Sequence, residues 1–533
     1  MQYFIPAWYQ NNDWKENEQV WYRSRTVTEF DDTVKQIQLF FRKHVAPFKI
    51  LLLGFSPNFR HYLHRQGVYH VPYWSCFDAM QGISMHQISM FSFHDLTWPD
   101  DVEFIYSPFA VIVRRDEKKF AQIEFAEDGN MFRVDMYKDD EQVSSNYYDD
   151  RGFMSLQVVY QNGLPYREQY FNSEGVWKFA RFLNDGHVVI NPESNWYYSG
   201  IGHNLVKAAY KKKNYASIDQ VIAEVLQENL RETTNSDIFI VAAHPLHAGV
   251  LAETLSDRKV VLSFFARRIE NEKANVNDAD KKLLEEASYV VVDERSTEEK
   301  IKKFPEAADK PLRIITPYDS RKEFGDSLHL RVQNVLVAVD DIPDEVFDKL
   351  VVIFADYIIN INKKARIVLF TRSSRYDMSR RLLRKTKDAL SAAGMDPDIV
   401  IDTDDKSENY PSPDEEGKIF TVAQCVDELS VSRTLREQRI IVDLQEVPDQ
   451  FLQISAMSMG IPQITVRETD YVKNGKNGIV IDDLSELADS MHYYLSSITN
   501  VNNAQIASYK LGGSYSTGKL VQSWKEVIES VER

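Results

Sequence analysis

Two series of continuous apolar, β-branched runs constrain the fold more than any other feature of the sequence. Runs that are apolar throughout and alternate with segments of helical length are typical of a parallel sheet covered on both faces. The pattern therefore predicts a first α/β lobe, which opens with the short apolar run YFIPAWY (3–9). Its predicted strands are KILLLGF (49–55), DIFIVAAH (237–244), KVVLSFF (259–265), YVVVDE (289–294) and LRIITP (312–317).

A second series of the same kind begins near residue 330 and predicts a second α/β lobe. The boundary between the lobes is expected near DSRKEFGDSLH (319–329), a polar segment that contains Gly325. After the turn KLGGS (510–514), VQSWKEVIESV (521–531) has the pattern of an amphipathic helix. The strands predicted for this lobe are NVLVAVD (334–340), ARIVLFT (365–371), DIVIDT (398–403), RIIVDL (439–444) and PQITV (462–466).

Residues 104–193 have a different pattern, in which turn pairs recur every 11 or 12 residues. NYYDDRGF (146–153) and QYFNSEGV (169–176) are in register after a shift of 23 residues. Such pairs between β-rich runs are hairpin signals, so we expect an antiparallel β-meander inserted in the first lobe. Its aromatic residues either form a recognition face or cover one side of the sheet; they are Phe125, Tyr137, Tyr147, Tyr160, Tyr170, Trp177 and Phe182. The turn pairs are Asp128-Gly129, Asp139-Asp140, Arg151-Gly152, Asn162-Gly163, Glu174-Gly175 and Asp185-Gly186.

The predicted fold class is therefore α/β, with two Rossmann-type parallel-sheet lobes facing a cleft. The first lobe is expected to comprise residues 1–103 and 194–328, with the meander at 104–193. The second lobe is expected at 329–500, and a helical segment at 501–533 is expected to pack back on the first lobe.

Composition excludes several functional classes. A formal charge of −17 argues against nucleic-acid binding by the whole surface, which requires Lys and Arg to neutralise phosphates. Two cysteines far apart, Cys76 and Cys425, imply no disulfide framework and fit a reducing cytoplasm. The N-terminus has no signal-peptide pattern, and the longest apolar stretch (350–361) is too short to span a bilayer. The acidic segment 402–417 is interpreted as a solvated loop.

The segment QISAMSMGIPQI (453–464) points most directly to chemistry. It predicts a short apolar helix that ends at Gly460 and is stopped by Pro462. Together with RIIVDL before it and DYVKNGKNGIVI (470–481) after it, the segment resembles the donor-binding region of retaining GT-B glycosyltransferases. The N-terminus of such a helix favours a diphosphate through its free amides and its dipole.

The two glutamates of that pattern are missing. Their positions hold Val447 and Ser455, and Glu446 is one residue out of register. The glutamates accept hydrogen bonds from ribose hydroxyls, which Val cannot do and Ser is too short to do. Each lost charge-assisted bond costs about 1.5–3 kcal/mol. We therefore expect a vestigial donor pocket without a cofactor, in which Arg372 is the remaining candidate phosphate partner.

An inverting glycosyltransferase would not need the glutamate pair, but it would need a general base in the first lobe. His94, His244 and His247 are candidates by residue type. Each has the alternative of being a capping or packed histidine, and HPLH (244–247) is too isolated to predict a metal site. The turn TRSSRYD (371–377) also lacks the glycines that active enzymes often carry there.

The opening segments carry a closer resemblance. FIPAWYQN (4–11), WYRSR (21–25), FDDTVKQIQLFFR (30–42) and the run from Leu52 to Ile83 are similar to the first of the accessory secretory proteins. That family belongs to the accessory Sec system of streptococci and related Gram-positive bacteria. The resemblance covers nearly the whole chain and implies a GT-B-like fold without transferase activity, so no catalytic residue is carried over.

The resemblance also implies partners. Members of the family assemble with two other accessory secretory proteins and act with an alternate Sec ATPase and an alternate channel. They support the export of serine-rich-repeat glycoprotein adhesins. A cytoplasmic location is implied, together with a proposed role in targeting at the inner face of the cell membrane.

A membrane role would need a basic surface on this acidic chain. The best candidate is MSRRLLRKTKDALSAAG (378–394), in which a basic face lies beside Leu382, Leu383 and Leu390. The run Lys211–Lys213 is a second candidate, and for both the alternative is a solvated surface. The basic residues of the first candidate are Arg380, Arg381, Arg384, Lys385 and Lys387.

Two other functions are compatible with the same residues. One is an active glycosyltransferase with an atypical nucleotide-sugar site. The other is a carbohydrate-binding adaptor that holds the glycosylated adhesin in the old cleft or on the meander.

Overall fold

The first lobe is built on a parallel sheet of seven strands, in the order β19-β18-β17-β16-β1-β4-β5. The computed structural model describes residues 1–10, 13–16, 30–126, 129–192, 210–271, 278–320, 325–400 and 418–533. All five residues of the central strand β16 are buried, as expected for a sheet covered on both faces. The strands are β1 (Gln2–Ile5), β4 (Phe48–Leu52), β5 (Tyr73–Ser75), β16 (Ile238–Ala242), β17 (Lys259–Phe264), β18 (Tyr289–Val292) and β19 (Leu312–Ile314).

Helices on both faces of this sheet form two separate cores, and the helix at the end of the chain belongs to one of them. Trp524 of that helix packs edge-on against Phe40, with ring centroids 5.6 Å apart. The helices are α1 (Asp32–Lys43), α2 (Phe59–Arg65), α3 (Cys76–Gln81), α4 (Ile218–Leu230), α5 (Pro245–Thr254), α6 (Ala266–Asn271), α7 (Asp278–Glu286), α8 (Arg295–Ile301) and α15 (Thr517–Glu532). A two-stranded ribbon, β2 (Tyr9–Gln10) and β3 (Asp13–Glu16), follows β1.

The second lobe has a parallel sheet of six strands, in the order β22-β21-β20-β23-β24-β25. Its strands are β20 (Gln333–Ala338), β21 (Ala365–Thr371), β22 (Phe420–Gln424), β23 (Gln438–Asp443), β24 (Gln463–Thr465) and β25 (Gly478–Val480). Its helices are α9 (Asp344–Asn360), α10 (Met378–Ala392), α11 (Glu428–Arg436), α12 (Gln450–Met459), α13 (Leu487–Leu495) and α14 (Ile498–Gly512).

One predicted strand of this lobe differs from the structure. Within 398–403, the described residues begin in a 3₁₀ turn (Pro397–Ile399), and Val400 forms only an isolated bridge to Phe420. The edge strand is β22 instead. The turn has a local cause, because the side chain of Asp396 accepts a hydrogen bond from the amide of Asp398 and Pro397 occupies the first position.

The antiparallel meander predicted from the turn spacing is confirmed as a ten-stranded sheet from β6 to β15, each strand pairing with the next. Asp139, Asp140 and Asn162 have positive φ at tight hairpin turns, as such pairs favour. The strands are β6 (Glu103–Tyr106), β7 (Ala110–Arg115), β8 (Lys118–Phe125), β9 (Met131–Lys138), β10 (Glu141–Asp149), β11 (Phe153–Gln161), β12 (Leu164–Phe171), β13 (Trp177–Phe182), β14 (Val188–Ile190) and β15 (Asn214–Tyr215).

Several aromatic residues of the meander attach it to the first lobe. Tyr170 is buried and lies 5.4 Å, between ring centroids, from both Phe55 and Phe77 of that lobe. Tyr147 and Tyr160 pack against the same core. For these residues the structure favours the covering role over a recognition face.

The boundaries of the domains stay a prediction. Within the inter-lobe segment, the structure describes the chain up to residue 320 and again from 325. Two other segments lie outside the described residues, namely WYRSR (21–25) and the acidic segment 402–417. The final helix α15 packs with α1, whereas α14 packs with α12, so the chain returns to the first lobe near residues 512–517.

Candidate functional site

Helix α12 lies at the carboxyl end of β23, where the sequence places the donor-binding helix. Its N-cap is Asp449, whose carboxylate accepts a hydrogen bond from the amide of Leu452 at 3.0 Å. Its C-cap is Gly460 with φ of 73°, a left-handed conformation that glycine adopts readily. Leu452, Ala456 and Met457 face a core of the second lobe. The first turn of such a helix is a typical anion site, and here the carboxylate of Asp449 already accepts one of its amides.

Arg372 lies close to this turn, but its guanidinium is already engaged. It follows β21, and its Nη2 donates a hydrogen bond to Oδ1 of Asp449 at 2.8 Å, with Nε 2.5 Å from Oδ2. The guanidinium also stacks on the ring of Phe30, 3.8 Å from its centroid, and lies 5.3 Å from that of Phe451. Only 5% of Arg372 is exposed, and burial lowers its pKa despite the charge of Asp449.

Asp449 is therefore the anion at the first turn of α12. Its carboxylate caps the helix, pairs with Arg372, and lies 3.6 Å from Nη2 of Arg267, which belongs to the first lobe. A helix N-terminus with two arginines is a suitable site for a phosphate group. In this chain a carboxylate of the protein itself fills that site.

The remaining positions of the predicted pocket are placed as follows. Glu446 is exposed, and Val447 and Ser455 are partly buried. Asp443, at the end of β23, is fully buried, and burial together with the negative charge of Asp449 raises its pKa to about 6. Its Oδ2 accepts the amide hydrogen of Asp449 at 3.0 Å. The role of Arg372, Glu446, Val447 and Ser455 as a vestigial donor pocket stays a prediction.

Two of the three candidate general bases are engaged in the core of the first lobe. His247 is fully buried; one ring nitrogen contacts the carbonyl of Ala242 at 2.7 Å and the other contacts the hydroxyl of Tyr9 at 2.8 Å. The pKa of His247 is well below its usual range, chiefly because the ring is buried and secondly because His244 is nearby. His244 caps α5, with Nδ1 accepting from the amide of Leu246.

The third candidate, His94, packs on Phe93 with ring centroids 4.1 Å apart and on Phe104 of β6 at 5.7 Å. It therefore has a place in the packing of the meander. Across the parts of the chain that the structure describes, no group of His, Cys, Asp and Glu is arranged to hold a metal ion.

The basic helix α10 exposes three of its five candidate membrane contacts, Arg380, Arg381 and Arg384. Lys385 is bound to Asp344, with its ammonium 4.2 Å from the ring centroid of Phe347, and Lys387 is partly buried. Leu382, Leu383 and Leu390 belong to the core of the second lobe.

The apolar side of α10 is thus unavailable for insertion into lipid, and any contact through this helix would be electrostatic. Lys211, Lys212 and Lys213 are all exposed. Within the described ranges, no helix is long and apolar enough to cross a membrane.

Sequence reasoning missed the residues that fill the site. Asp449 could have been found, because an Asp directly before an apolar helical run is an N-cap signal. Phe30 and Arg267 gave no signal, since they come from the first lobe and meet α12 only in the folded chain.

Comparison with known proteins agrees with this architecture. The family described as the accessory Sec system protein called accessory secretory protein 1 matches residues 1–531. A member from Streptococcus gordonii is 31% identical over 543 residues, covering 99% of this chain and 100% of the relative.

Two solved structures are similar to this chain in fold over nearly its whole length. The crystal structure of accessory secretory proteins 1, 2 and 3 from Streptococcus pneumoniae contains a chain that is 26% identical, with a TM-score of 0.77, covering 100% of this chain and 99% of that chain. The pneumococcal O-GlcNAc transferase GtfA, solved with UDP and GlcNAc, is 12% identical with a TM-score of 0.71, covering 99% of this chain and 98% of that chain.

The likeness to GtfA concerns the fold alone, and it confirms the predicted GT-B-like arrangement of two parallel-sheet lobes with an inserted antiparallel sheet. The match over residues 1–531 and the 31% identity over the full length confirm the resemblance found in the sequence. The chain belongs to the accessory secretory protein 1 family of the accessory Sec system.

Proposed function

We propose that this chain is a non-catalytic component of the accessory Sec system that uses a glycosyltransferase fold as a scaffold. In this proposal it assembles with two other accessory secretory proteins and supports the export of serine-rich-repeat adhesins through the alternate Sec ATPase and channel. It acts at the cytoplasmic side of the cell membrane. The catalytic role of the fold has been replaced by a structural one.

The observation that carries the proposal is the position of Asp449. Its carboxylate occupies the first turn of α12 and pairs with Arg372. A donor diphosphate would have to displace a buried ion pair to reach the same amides and the same guanidinium. Val447 and Ser455 offer no carboxylate to a ribose, so a donor would gain little in return.

The proposed partners rest on a relative. The pneumococcal structure contains accessory secretory proteins 1, 2 and 3 together, and its matching chain covers this one over its full length. We therefore expect this chain to form a complex with its own two accessory proteins. Co-purification followed by light scattering tests this expectation, and a failure to associate at micromolar concentration would contradict it.

Calorimetry with UDP-GlcNAc, UDP-glucose and inorganic pyrophosphate tests the non-catalytic role. We expect no binding in the micromolar range for the wild-type chain. We expect the same result for the double variant Val447→Glu/Ser455→Glu, because restored glutamates leave the phosphate position filled by Asp449. Micromolar binding accompanied by sugar transfer or donor hydrolysis would favour an active glycosyltransferase instead.

A cellular assay complements the calorimetry. Ser455→Ala should leave adhesin export unchanged, since a scaffold does not depend on that hydroxyl. Loss of export by a folded Ser455→Ala protein that still binds both partners would argue for a chemical role of the helix.

A further inference from the structure

The start of α1 is fastened to the second lobe by two side chains. Phe30 stacks on Arg372 and also contacts Phe451, with ring centroids 5.0 Å apart. Lys35, only 7% exposed, forms an ion pair with Glu428 of α11. An aromatic–cation stack and a mostly buried ion pair thus join the lobes at one place.

The backbone that carries these two side chains is anchored in the first lobe through their neighbours Asp31 and Asp32. Asp31 caps α1 by accepting from the amides of Thr33 and Val34, and it also accepts a hydrogen bond from the indole of Trp8 at 3.0 Å. Asp32 pairs with Arg268 at 2.6 Å. The start of α1, which carries Phe30 and Lys35, is therefore anchored in the first lobe.

A second group of contacts joins α12 and the following loop to the first lobe. Nε2 of Gln450 donates to Oδ2 of Asp293 at 2.6 Å, and the amide of Arg295 donates to Oδ2 of Asp470 at 2.7 Å. Asp293 is itself held by the amide of Ala266 at 2.9 Å. The Gln450–Asp293 bond is buried and resists separation, because each group would lose its partner, whereas the Arg295–Asp470 bond is exposed to solvent.

The two points where the chain crosses between the lobes are also tied to each other. The amide of Ser320 donates to the carbonyl of Tyr515 at 2.9 Å, and its hydroxyl donates to the carbonyl of Gly512 at 2.6 Å. The hydroxyl of Thr517 donates to Asp319 at 2.6 Å. Domain closure by a hinge requires such crossing segments to change their φ and ψ angles freely, and these bonds oppose that change.

We infer that these contacts form an interlobe lock, made chiefly by Phe30 and Lys35 on Arg372 and Glu428, which keeps the two lobes in one arrangement as a single rigid body. Two-lobed ligand-binding proteins commonly open and close around a cleft. In this chain the side chains that would have to part are buried and paired across the lobes. Because the lobes are locked, surface residues of the first lobe keep the same position relative to surface residues of the second.

Pulsed dipolar electron paramagnetic resonance on the full chain measures this directly. Nitroxide labels are placed at Tyr69→Cys in the first lobe and Tyr493→Cys in the second, both exposed positions. The native Cys76 and Cys425 are buried and would stay unlabelled. We expect one narrow distance for the otherwise unchanged chain, and a shift of part of the population to longer distances for Phe30→Ala/Lys35→Ala.

The matched control is Phe41→Ala/Lys43→Ala, which removes the same residue types from the end of α1, at positions that face the first lobe or solvent. It should keep the narrow distance. If Phe30→Ala/Lys35→Ala fails to fold, Lys35→Glu opposes Glu428 without removing the aromatic ring, and Lys35→Glu/Glu428→Lys should restore the narrow distance.

A broad or bimodal distribution in the unsubstituted chain would overturn the inference. An unchanged narrow distance in a folded Phe30→Ala/Lys35→Ala protein would also overturn it. If that double variant does not fold, an unchanged narrow distance in Lys35→Glu would overturn it instead. The result is separate from the proposed function, which is decided by donor binding and by partner assembly.

Discussion

The guanidinium of Arg372 lies 3.8 Å from the ring centroid of Phe30, so that a side chain at the end of a second-lobe strand stacks on the residue that precedes helix α1. The same guanidinium is paired with Asp449. Arg372 thereby links the anion at the start of α12 to the first lobe.

We expect Arg372→Ala to lower the free energy of unfolding by about 3–5 kcal/mol, because breaking a buried ion pair leaves Asp449 without its main partner. Arg372→Lys should have a free energy of unfolding between those of Arg372→Ala and the wild type, since Lys keeps the charge but loses the planar stacking on Phe30. Urea unfolding followed by fluorescence measures both. The exposed Arg381→Ala serves as the control, with an expected change within about 0.5 kcal/mol. Equal losses for the two alanine variants would contradict the assignment.

Gly460, at the end of α12, should tolerate no side chain. A Cβ there would lie 2.5 Å from Cγ of Gln505 on α14, at a φ of 73°. Gly475 has a similar φ of 66° with nothing near the added atom. Gly475→Ala should therefore cost roughly 1–2 kcal/mol for the left-handed conformation alone. Gly460→Ala should cost about 1–3 kcal/mol more, because the side chain of Gln505 must also move. Thermal and urea unfolding of the two variants would show whether this difference exists.

The buried carboxyl of Asp443 should make stability depend on pH. Burial, with the charge of Asp449, raises its pKa to about 6 in the folded chain, whereas an unfolded Asp titrates near about 3.9. Between these two pH values the folded state binds a proton that the unfolded state does not. The ionised group therefore lowers the free energy of unfolding above pH about 6, and this destabilisation is relieved as the pH falls.

Relative to Asp443→Asn, the wild type should therefore gain at most about 3 kcal/mol between pH 7.5 and pH 4. Urea unfolding of both proteins across this range gives the difference directly, and all other titrating groups are common to the pair. A difference that stays constant with pH would show that Asp443 is not the titrating group.

The membrane-contact prediction can be tested on α10. Because Leu382, Leu383 and Leu390 are committed to the core, binding through this helix would depend chiefly on its exposed basic residues Arg380, Arg381 and Arg384. Changing all three arginines to Glu should weaken binding to phosphatidylserine-containing vesicles by at least about 1 kcal/mol for each arginine lost. Added salt should also weaken vesicle binding by the wild type.

The matched control for α10 changes Lys211, Lys212 and Lys213 to Glu, which alters the net charge equally at another exposed place. Vesicle sedimentation at two salt concentrations distinguishes the surfaces. An equal loss in both triple variants would point to net charge rather than to α10, and a loss confined to the lysine variant would move the contact to that run.

Patterns with a local physical cause were predictable from the sequence. Asp139-Asp140 and Asn162-Gly163 favour left-handed turn conformations, and these pairs form hairpins of the meander. Gly460 and the Pro462 that follows end α12 where expected, because neither residue suits the continuation of a helix. The prediction of a strand at 398–403 was wrong in its described part, since Pro397 and the Asp396 cap favour a turn over strand pairing.

The two parallel-sheet lobes, the inserted antiparallel sheet and the absence of glutamate at positions 447 and 455 could be inferred from the sequence alone, because all of these depend on residue type and on spacing along the chain. The side chains that occupy the site at α12 become apparent only in the folded chain. Phe30 and Arg267 belong to the first lobe, and Arg372 and Asp449 belong to the second. No local periodicity brings these four side chains together. Their contacts come from the packing of one lobe on the other, which turns a candidate phosphate partner into part of the interface.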